Sequence, residues 1–557
     1  MFGLKLLLFL LMSCAPGVLA APSQAPMQVP ETSGIGAKQK LQGRFLHITD
    51  MHPDLYYKAD ASQKSACHRR KPKKARPRSG YYGMPYSDCD SPLTLTNFTL
   101  DYLDKEWSKE IDFVVWTGDN ARHDNDRKRP RTTNEIYMLN RAMAKRMEEV
   151  FLSKGIPVIP TIGNNDVWPH NIMLPGPNSV TFEFSSIWRN LIPFESYQVF
   201  QRGGYFSVEV VPDQLAVVSL NTMYLYDSNK AVGGCEQSDP EDPGNLQFDW
   251  LEVQLERFRR RGMQVWLSGH VPPSADNFFP DCFVRYTELS LRYQDTILGH
   301  LYGHMNADHF FFLDAEHVRS KRDRNASTSD TFGEPHAEGK KKNRLLYNAL
   351  LKDFDDLPKA KRNSTYDDYG VVNVSPSVVP SPYLPSFRIF AYNTTGTPYV
   401  PAMQAARSSC DDADGRDAWW CGMAKPWHAN PESPSRTNRL WTPLGYAQYY
   451  LPDLDSANKK HAPKVKLEYL TFSRRALHPS SGSEQAEAAW HPIPLRHLPK
   501  SLRNATMTDK GSKYVPYGLA DLTIGSWVDL GRRLAAGTEA KLRKRFRRFM
   551  YMGGEGA

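Results

Sequence analysis

The sequence predicts an α/β fold, and three observations support this expectation. Apolar segments of strand length alternate with segments of helical spacing between residues 41 and 315. Several of these strands end in short polar clusters rich in Gly, Asp, Asn and His. The chain has 557 residues, of which 40% are hydrophobic and 24% charged, so it can bury a sizeable core. This composition excludes a collagen-like or wholly disordered chain.

The individual elements follow one another in the order of βαβ units. A strand at 44–49 precedes a helix at 93–110 and a buried strand at 111–116. The other predicted elements are helices at 132–153 and 246–261, strands at 156–162, 263–267, 297–302 and 309–313, a hairpin at 205–211 and 215–220, and later strands at 369–374, 387–392 and 465–472.

The first 22 residues indicate entry into the secretory pathway. Lys5 precedes an apolar run at 6–12, and Val18-Leu19-Ala20 resembles a small-residue cleavage site. The run is short for a membrane span, which needs about 20 apolar residues, but residues 6–22 carry no charge. A cleaved signal peptide and a retained type II signal anchor therefore both remain open.

Glycosylation sequons agree with secretory entry. Six asparagines open an N-x-[ST] sequon, and the one at Asn373 is unfavourable because Pro376 lies just beyond it. The candidate acceptors are Asn97, Asn325, Asn363, Asn393 and Asn504.

Six cysteines remain once Cys14, which lies in the signal, is set aside. In an oxidising compartment they predict three disulfides, and pairing in sequence order is the simplest of 15 connectivities. Free buried thiols are the alternative, and no C-x-x-C spacing indicates a zinc or redox site. The six are Cys67, Cys89, Cys235, Cys282, Cys410 and Cys421.

Composition also divides the chain into segments. The predicted division is a signal or anchor at 1–22, a Pro/Ser/Gly-rich linker at 23–40, a catalytic core at 41–315, a charged disordered insertion at 316–345, the remainder of the catalytic domain at 346–475 and a basic C-terminal tail at 476–557.

Five polar clusters follow predicted strands, at the place where an α/β sheet binds its ligands. Each cluster alone is a weak signal, but five in this order predict a centre for two divalent metal ions. Such a pair polarises a phosphoryl group and lowers the pKa of a water. The clusters are Asp50-Met51-His52, Gly118-Asp119-Asn120, Gly163-Asn164-Asn165-Asp166, Gly269-His270 and Gly303-His304-Met305-Asn306.

These clusters resemble the motif series of the calcineurin-like metallophosphoesterase superfamily, and most closely its acid-sphingomyelinase-like branch. That branch has D-x-H, G-D-x-x-x-H-D, G-N-H-[DE], G-H and G-H-x-H. Residues 118–124 fit the second motif. Two positions depart from the series: Asn165 replaces the His of the third motif, and Asn306 replaces the last His of the fifth.

The departures themselves are similar to those of fungal vacuolar endopolyphosphatases. The strings HITDMHPD, TGDNARHDND, GNNDVWPHN, LSGHVPP and GHMNADHF carry this resemblance over residues 45–313, and LGYAQYYLPDL near Leu444 extends it. The resemblance implies a four-layer αββα metallophosphoesterase sandwich with insertions. It also implies metal-dependent internal hydrolysis of inorganic polyphosphate, in the vacuole lumen or at its membrane.

The resemblance further implies a set of metal ligands. Asp50 and His52 bind one ion, Asp119 bridges, and Asn306 takes the place of a histidine on the first ion. The second ion is held by Asn164, His270 and His304. Because an amide oxygen is a harder and weaker donor than imidazole, the site favours Mn²⁺ or Mg²⁺, with Co²⁺ and Zn²⁺ left open.

The same resemblance places Asn165 and His123 at the catalytic step. The superfamily's histidine at the position of Asn165 helps to protonate the leaving group, which an amide cannot do. His123 is the remaining candidate acid, and His170 is the runner-up. The alternative is that both histidines only hydrogen-bond loops.

Basic runs point to an anionic partner. Lys and Arg number 70 against 61 Asp and Glu, a net charge of +9. Residues 68–78 are densely basic and lie between Cys67 and Cys89, so this loop is a candidate polyphosphate contact. A solvated loop or a protease target is the alternative. The candidate substrate-binding residues are Arg69, Arg70, Lys71, Lys73 and Lys74.

A second basic run at 541–548 is interpreted as a surface or membrane-facing tail that vacuolar proteases could remove. Nothing separately indicates binding to nucleic acid. Two rival functions stay open. One is a secreted phosphodiesterase like acid sphingomyelinase, although no Cys-rich region precedes the motifs. The other is a non-catalytic protein that binds polyphosphate.

Overall fold

The structure is a computed structural model, and it describes residues 41–315, 339–357, 366–401, 428–479, 490–504 and 512–554. The predicted signal and linker at 1–40 lie outside these residues, as do Cys410, Cys421, Asn325 and Asn363. Of the helix at 339–355, only the backbone is described up to residue 345.

The described strands form two six-stranded mixed sheets and one short two-stranded sheet. The first sheet has the order β14-β13-β12-β1-β4-β5, the second has the order β10-β11-β9-β8-β7-β6, and β2 pairs with β3. The strands are β1 Arg44–Ile48, β2 Pro53–Asp54, β3 Ser91–Pro92, β4 Phe113–Trp116, β5 Val158–Pro160, β6 Phe206–Val211, β7 Leu215–Ser219, β8 Gln264–Ser268, β9 Ile297–Tyr302, β10 His309–Asp314, β11 Tyr369–Val374, β12 Ser386–Tyr392, β13 Pro443–Tyr450 and β14 Lys466–Leu470.

Helices flank the sheets and connect their strands. They are α1 Leu93–Trp107, α2 Thr133–Val150, α3 Ser179–Ile187, α4 Tyr197–Gly203, α5 Pro243–Arg260, α6 Pro280–Arg292, α7 Gly339–Asp355, α8 Arg474–Leu477, α9 Ile524–Ala536 and α10 Ala540–Met550. Local chemistry fixes where some of them begin. The Thr132 side chain accepts the Glu135 amide at the start of α2, and Asp242 caps α5 with Pro243 as its first residue.

The two large sheets pack face to face through aromatic side chains. Phe45 of β1 stacks on Phe390 of β12 with ring centroids 4.9 Å apart, and its edge meets Trp266 of β8 at 5.2 Å. On the outer side of the first sheet, Trp107 of α1 packs against Tyr449 of β13. On the second sheet, Tyr286 of α6 lies within hydrogen-bond distance of His300 of β9. The expected four-layer αββα sandwich is therefore confirmed.

Parallel pairing places the predicted loops at one edge. In the first sheet β1, β4 and β5 run parallel, and in the second β7, β8 and β9 run parallel. The loops after β1, β4, β5, β8 and β9 contain the five polar clusters, so the sheet topology collects them.

Some elements differ from the sequence-based expectation. Strands β2, β3 and β13 and helices α3, α4, α6, α8 and α9 were not predicted. The shortest of them, such as β2 and α8, have too few residues to show a periodicity. Helix α7 begins inside the predicted disordered insertion at 316–345, of which residues 316–338 lie outside the described part of the chain.

The C-terminal segment is not only a basic surface tail. In α10, Leu542, Phe546, Phe549 and Met550 are buried. Phe546 meets Phe310 of β10 at 5.9 Å, and Trp527 of α9 meets the same ring at 4.5 Å. The expectation of a surface or membrane-facing tail at 541–548 is wrong for Leu542 and Phe546, because the apolar spacing gives the helix a face that the core covers.

Two disulfides agree with pairing in sequence order. Cys67 is bonded to Cys89, and Cys235 is bonded to Cys282. Among the sequon asparagines that the structure describes, Asn97 and Asn504 are exposed, Asn393 is half-buried, and Asn373 is buried within β11. No helix of the described ranges combines the length and apolar character that crossing a bilayer requires.

Candidate metal centre

The strand-end loops are joined by backbone hydrogen bonds. The Asp50 amide donates to the Gly118 carbonyl at 3.0 Å, and the His52 amide donates to the Asp119 carbonyl at 3.2 Å. The Gly303 amide donates to the carbonyl of His270 at 3.1 Å. These bonds join the loop after β1 to the loop after β4, and the loop after β8 to the loop after β9.

Asp50, His52 and Asp119 form the first group of candidate ligands. Nε2 of His52 lies 3.6 Å from Oδ1 of Asp50 and 3.4 Å from Oδ2 of Asp119. Nδ1 of His52 lies 2.8 Å from the Ala121 carbonyl, which can only accept a hydrogen bond. The Nδ1 atom therefore carries the proton, and the Nε2 lone pair faces the carboxylates, as in metal-binding histidines.

A second group contains Asp119, His270 and His304 together with Asn164. Nε2 of His270 lies 3.2 Å from Oδ2 of Asp119 and 2.8 Å from Oδ1 of Asn164. The Thr117 carbonyl fixes the tautomer of His270 by accepting from its Nδ1 at 2.7 Å. Nδ1 of His304 lies 3.0 Å from the same Asn164 oxygen.

Asp119 belongs to both groups, as expected of the bridging residue. Asn165, which was expected at the catalytic step, lies against Asp119. Its backbone amide donates to Oδ1 of Asp119 and its side-chain amide donates to Oδ2, each at 2.9 Å. Asp166, in turn, accepts from the backbone of Asp119 at 2.9 Å. Asn165 therefore orients the shared carboxylate.

The donor atoms fit a pair of divalent cations. Oδ1 of Asp50, Nε2 of His52 and Oδ1 of Asn306 are buried and have no hydrogen-bond partner among the described residues. Buried polar atoms without a partner are costly, whereas a cation at this edge satisfies them. The set combines carboxylate, amide oxygen and imidazole, all of which are ligands of divalent cations in proteins.

The local charge also favours cations. Burial lowers the pKa of His52, but the nearby carboxylates of Asp50, Asp119 and Asp90 outweigh it and raise that pKa to about 9. Burial and the neighbouring Asp119 raise the pKa of Asp166 to about 6. A cluster of buried carboxylates therefore attracts either protons or metal ions.

Several of these side chains stand on strained backbone. Positive φ angles, uncommon for residues other than glycine, occur at Asp50 (50°), His52 (39°), Asp119 (58°), His304 (69°) and Asn306 (53°). Such strain concentrates at functional sites, where the surrounding structure enforces it.

Glycines in the motifs permit close approach to these ligands. A Cβ atom on Gly163 would lie 2.0 Å from Oδ1 of Asp119, and one on Gly303 would lie 2.6 Å from Oδ2 of Asp50. Any side chain at either position would displace a candidate ligand.

His123 lies beside the first group. Its ring stacks on that of His52 with centroids 3.9 Å apart. Its Nδ1 lies 2.6 Å from Oδ1 of Asp90, and its amide donates to Oδ2 of Asp90 at 2.8 Å. Sequence reasoning missed Asp90, although its position directly after Cys89, in the disulfide-bonded loop, was a usable signal.

A cavity of about 310 Å³ opens over the candidate ligands. Among the residues expected at the site, Asp119, His123, Asn164, Asn165, His304 and Asn306 line it. Lys64 also lines it, and it is the only lysine or arginine that does so in the described part of the chain. Sequence reasoning did not select Lys64, because it precedes the dense basic run.

His170 does not line this cavity. Its Nε2 lies 3.0 Å from Nδ2 of Asn164, so it contacts the far side of a candidate ligand. Of the two candidate acids, His123 lines the cavity and His170 does not.

The basic loop is anchored near the site but stays outside the cavity. His68 is buried between Asp54 and Asp126, with a distance of 2.7 Å to each. Arg69 binds Asp126 through both terminal nitrogens, and Arg70 pairs with Asp60 at 3.1 Å. Lys71, Lys73 and Lys74 are exposed. Arg69, expected to bind substrate, thus also pairs with a carboxylate of its own chain.

Proteins of similar sequence agree with a phosphoesterase site of this kind. The calcineurin-like phosphoesterase family matches residues 43–304. An endopolyphosphatase of Cryptococcus neoformans is 38% identical over 639 aligned positions, which cover 94% of this chain and 93% of that protein. An endopolyphosphatase of Neurospora crassa is 32% identical and covers 93% of this chain, and that of Saccharomyces cerevisiae is 37% identical over 65% of it.

Proposed function

Because this chain belongs to the endopolyphosphatase family of calcineurin-like phosphoesterases, we propose that it hydrolyses internal phosphoanhydride bonds of inorganic polyphosphate. One observation carries the proposal: two groups of candidate metal ligands share Asp119 at the floor of an open cavity that also contains Lys64. This arrangement pairs a site for cations with a binding place for a chain of phosphates.

The family implies two divalent metal ions. Asp50, His52 and Asn306 would hold one ion and Asn164, His270 and His304 the other, with Asp119 shared between them. When bound, such a pair polarises a phosphoryl oxygen and lowers the pKa of a water. We propose Mn²⁺ or Mg²⁺ as the working ions, because two of these ligands are amides.

In the proposed reaction, residues of this chain orient the reacting groups and supply a proton. Nδ1 of His123 is held by Asp90, which leaves Nε2 available to hydrogen-bond the leaving phosphate. Asn165 fixes both oxygens of Asp119. The ammonium group of Lys64 offsets charge on a neighbouring phosphate unit. The leaving group is itself a phosphate chain, which departs more readily than an alkoxide.

The cavity favours this substrate over a lipid phosphodiester. Its lining is dominated by carboxylates, amides, imidazoles and one ammonium group, with only Ala66 and Pro382 as apolar members. A sphingolipid would need apolar walls for its chains. The candidate ligand set is also complete, which favours an enzyme over a non-catalytic binding protein.

We further propose that the enzyme acts in the vacuole, reached through the secretory pathway. The N-terminal apolar run, the sequons and the two disulfides support this route. N-terminal sequencing of the mature protein distinguishes a cleaved signal peptide from a retained type II anchor.

Gel analysis of long-chain polyphosphate tests the activity. The purified protein, stripped of metal and resupplied with Mn²⁺, Mg²⁺, Co²⁺ or Zn²⁺, should convert long chains into chains of intermediate length. Release of single phosphates without intermediates would indicate an end-acting enzyme. A choline phosphodiester assayed in parallel should be turned over far more slowly. The reverse preference would favour the phosphodiesterase.

A further inference from the structure

Helix α10 presents a basic face that forms no ion pair with a described carboxylate, although the charge of Arg548 acts on the buried Glu468. Lys541, Lys544, Arg545 and Arg548 follow the spacing i, i+3, i+4, i+7 and are exposed or half-buried. None of the four forms an ion pair with another described residue. A helix whose exposed stripe contains four cations and no acid repels itself unless an anion is present.

Some cations on other helices pair with carboxylates of the same helix. Arg260 of α5 pairs with Glu256, and Arg146 of α2 pairs with Glu149. Within α10 itself, Arg543 donates to the carbonyls of Leu534 and Ala535, and Arg547 lies over the ring of Tyr347. Only the outward stripe is left unpaired.

The C-terminal end of α10 adjoins the rim of the cavity. The Met550 carbonyl accepts from the amide of Asp308, two residues after Asn306. Tyr551 packs on Tyr383 at 5.5 Å, one residue after Pro382. The Tyr86 hydroxyl donates to the Met552 carbonyl at 3.3 Å, two residues before Asp88. Asn306, Pro382 and Asp88 all line the cavity.

Taking the proposed function as its basis, we propose that this face of α10 is a binding track for the part of the polyphosphate chain that extends beyond the cavity. An enzyme that cuts internally must hold substrate outside the reacting unit. The helix is about 16 Å long, so the stripe runs from Arg548 at the cavity end to Lys541. Repeating anionic charge on the substrate matches repeating cationic charge on the helix.

An anionic membrane surface is the competing partner, and the structure favours polyphosphate. Helices that lie on membranes insert an apolar face beneath the headgroups. In α10 that face, which includes Leu542, Phe546 and Phe549, is covered by the protein core. Only charge is left for an outside partner, and the face ends at the cavity.

A charge-matched pair of variants tests the track. One variant is K541Q/K544Q/R545Q/R548Q. The control, K105Q/K109Q/K145Q/K500Q, removes four exposed lysines outside the cavity lining. Both should retain wild-type thermal unfolding. The α10 variant should raise KM for long-chain polyphosphate by about tenfold or more at low salt, with the effect shrinking at high salt. The control should change KM by less than about twofold.

Two further measurements, one with a short substrate and one of binding without hydrolysis, decide the outcome. KM for tripolyphosphate, which ends inside the cavity, should change by less than about twofold in the α10 variant. Direct titration with long-chain polyphosphate in metal-free buffer should show the same loss of affinity without turnover. Unchanged KM and unchanged binding in a wild-type enzyme that cuts polyphosphate would overturn the track and leave the proposed function intact.

The remaining outcomes separate the two proposals and the two partners. If the wild type fails to cut polyphosphate, but binds it and the α10 variant does not, the proposed function fails and the track stands. Co-sedimentation with phosphatidylserine vesicles gives the last comparison. Loss of vesicle binding with unchanged polyphosphate affinity would overturn the track in favour of a membrane contact.

Discussion

The carboxylate of Asp90 accepts hydrogen bonds from both the ring and the backbone amide of His123, at 2.6 and 2.8 Å. Burial raises the pKa of Asp90, but the interactions with His123 and His52 outweigh it and hold that pKa below its usual value. Asp90 is therefore an anion that fixes one ring nitrogen of His123 and leaves the other for the substrate. Because the Cys67–Cys89 disulfide precedes Asp90 directly, it secures this pair as well.

His123→Ala should lower kcat on polyphosphate by about 10²–10⁴-fold, because general acid catalysis contributes in that range. The loss should be smaller for a nitrophenyl phosphoester, whose leaving group departs without a proton. Asp90→Asn should produce a weaker defect with the same substrate dependence, since it loosens His123 without removing it. The measurement is kcat on both substrates, with metal content as a check. Equal losses on the two substrates would contradict an acid role.

Asp119→Asn should lower turnover by at least about 10²-fold, because it removes the charge shared by both candidate ligand groups while keeping the side-chain shape. Bound metal, measured by elemental analysis, should fall in parallel. Asp101→Asn, at an exposed position of α1, is the matched control and should behave as wild type. A folded Asp119→Asn enzyme with full turnover at saturating metal would refute a shared carboxylate.

Asn306→His should shift metal preference towards Zn²⁺ relative to Mn²⁺, because imidazole is a softer and stronger donor than an amide oxygen. The comparison is activity and metal content after resupply with each ion. Asn125→His is the control, since Asn125 lines the same cavity outside the ligand groups. An unchanged metal profile in Asn306→His would place this residue away from the ions.

Neutralising Arg70, Lys71, Lys73 and Lys74 together should raise KM for long polyphosphate and leave a small chromogenic phosphoester unaffected, because these residues lie outside the cavity. The defect should shrink at high salt. Lys64→Gln should instead impair both polyphosphate and tripolyphosphate, because Lys64 lines the cavity. The K105Q/K109Q/K145Q/K500Q variant again controls for net charge. Equal losses on all substrates in the loop variant would indicate a role in folding.

Glu468→Gln should stabilise the protein increasingly as pH rises. Burial and the charge of Asp308 raise the pKa of Glu468 to about 8, although the hydrogen bond from Gln448 and the charges of Arg548 and Arg388 oppose this. Above the unfolded-state pKa of about 4.3, the unfolded chain loses this proton while the folded protein keeps it, so wild-type stability falls as pH rises.

The difference in Tm between Glu468→Gln and wild type should be near zero at pH 4 and reach about 2 °C or more at pH 8. Thermal unfolding followed across this range makes the measurement. Glu432→Gln, at an exposed carboxylate paired with Arg439, should show no such trend. A constant Tm difference between pH 4 and 8 would mean that Glu468 is ionised in the folded protein.

The sequence by itself determined the candidate ligand clusters and the α/β class. Asp50, Asp119 and His270 each follow an apolar strand, and a strand followed by a polar turn is visible within a few residues of sequence. Parallel strands then bring their carboxyl ends together by a general rule of sheet topology. This is why the clusters could be expected at one edge before any distance was known, whereas the assignment of ligands to two ions came from the family resemblance.

Only the tertiary structure decided which charged groups serve the site. It joined Asp90 to His123 across 33 positions, brought Lys64 into the cavity and engaged Arg69 with Asp126. It also buried one face of α10 and left the other cationic. These contacts form between segments far apart in the chain, where local pattern has no information. The sequence therefore specified the chemistry available at each strand end, and packing between distant segments selected the partners that surround it.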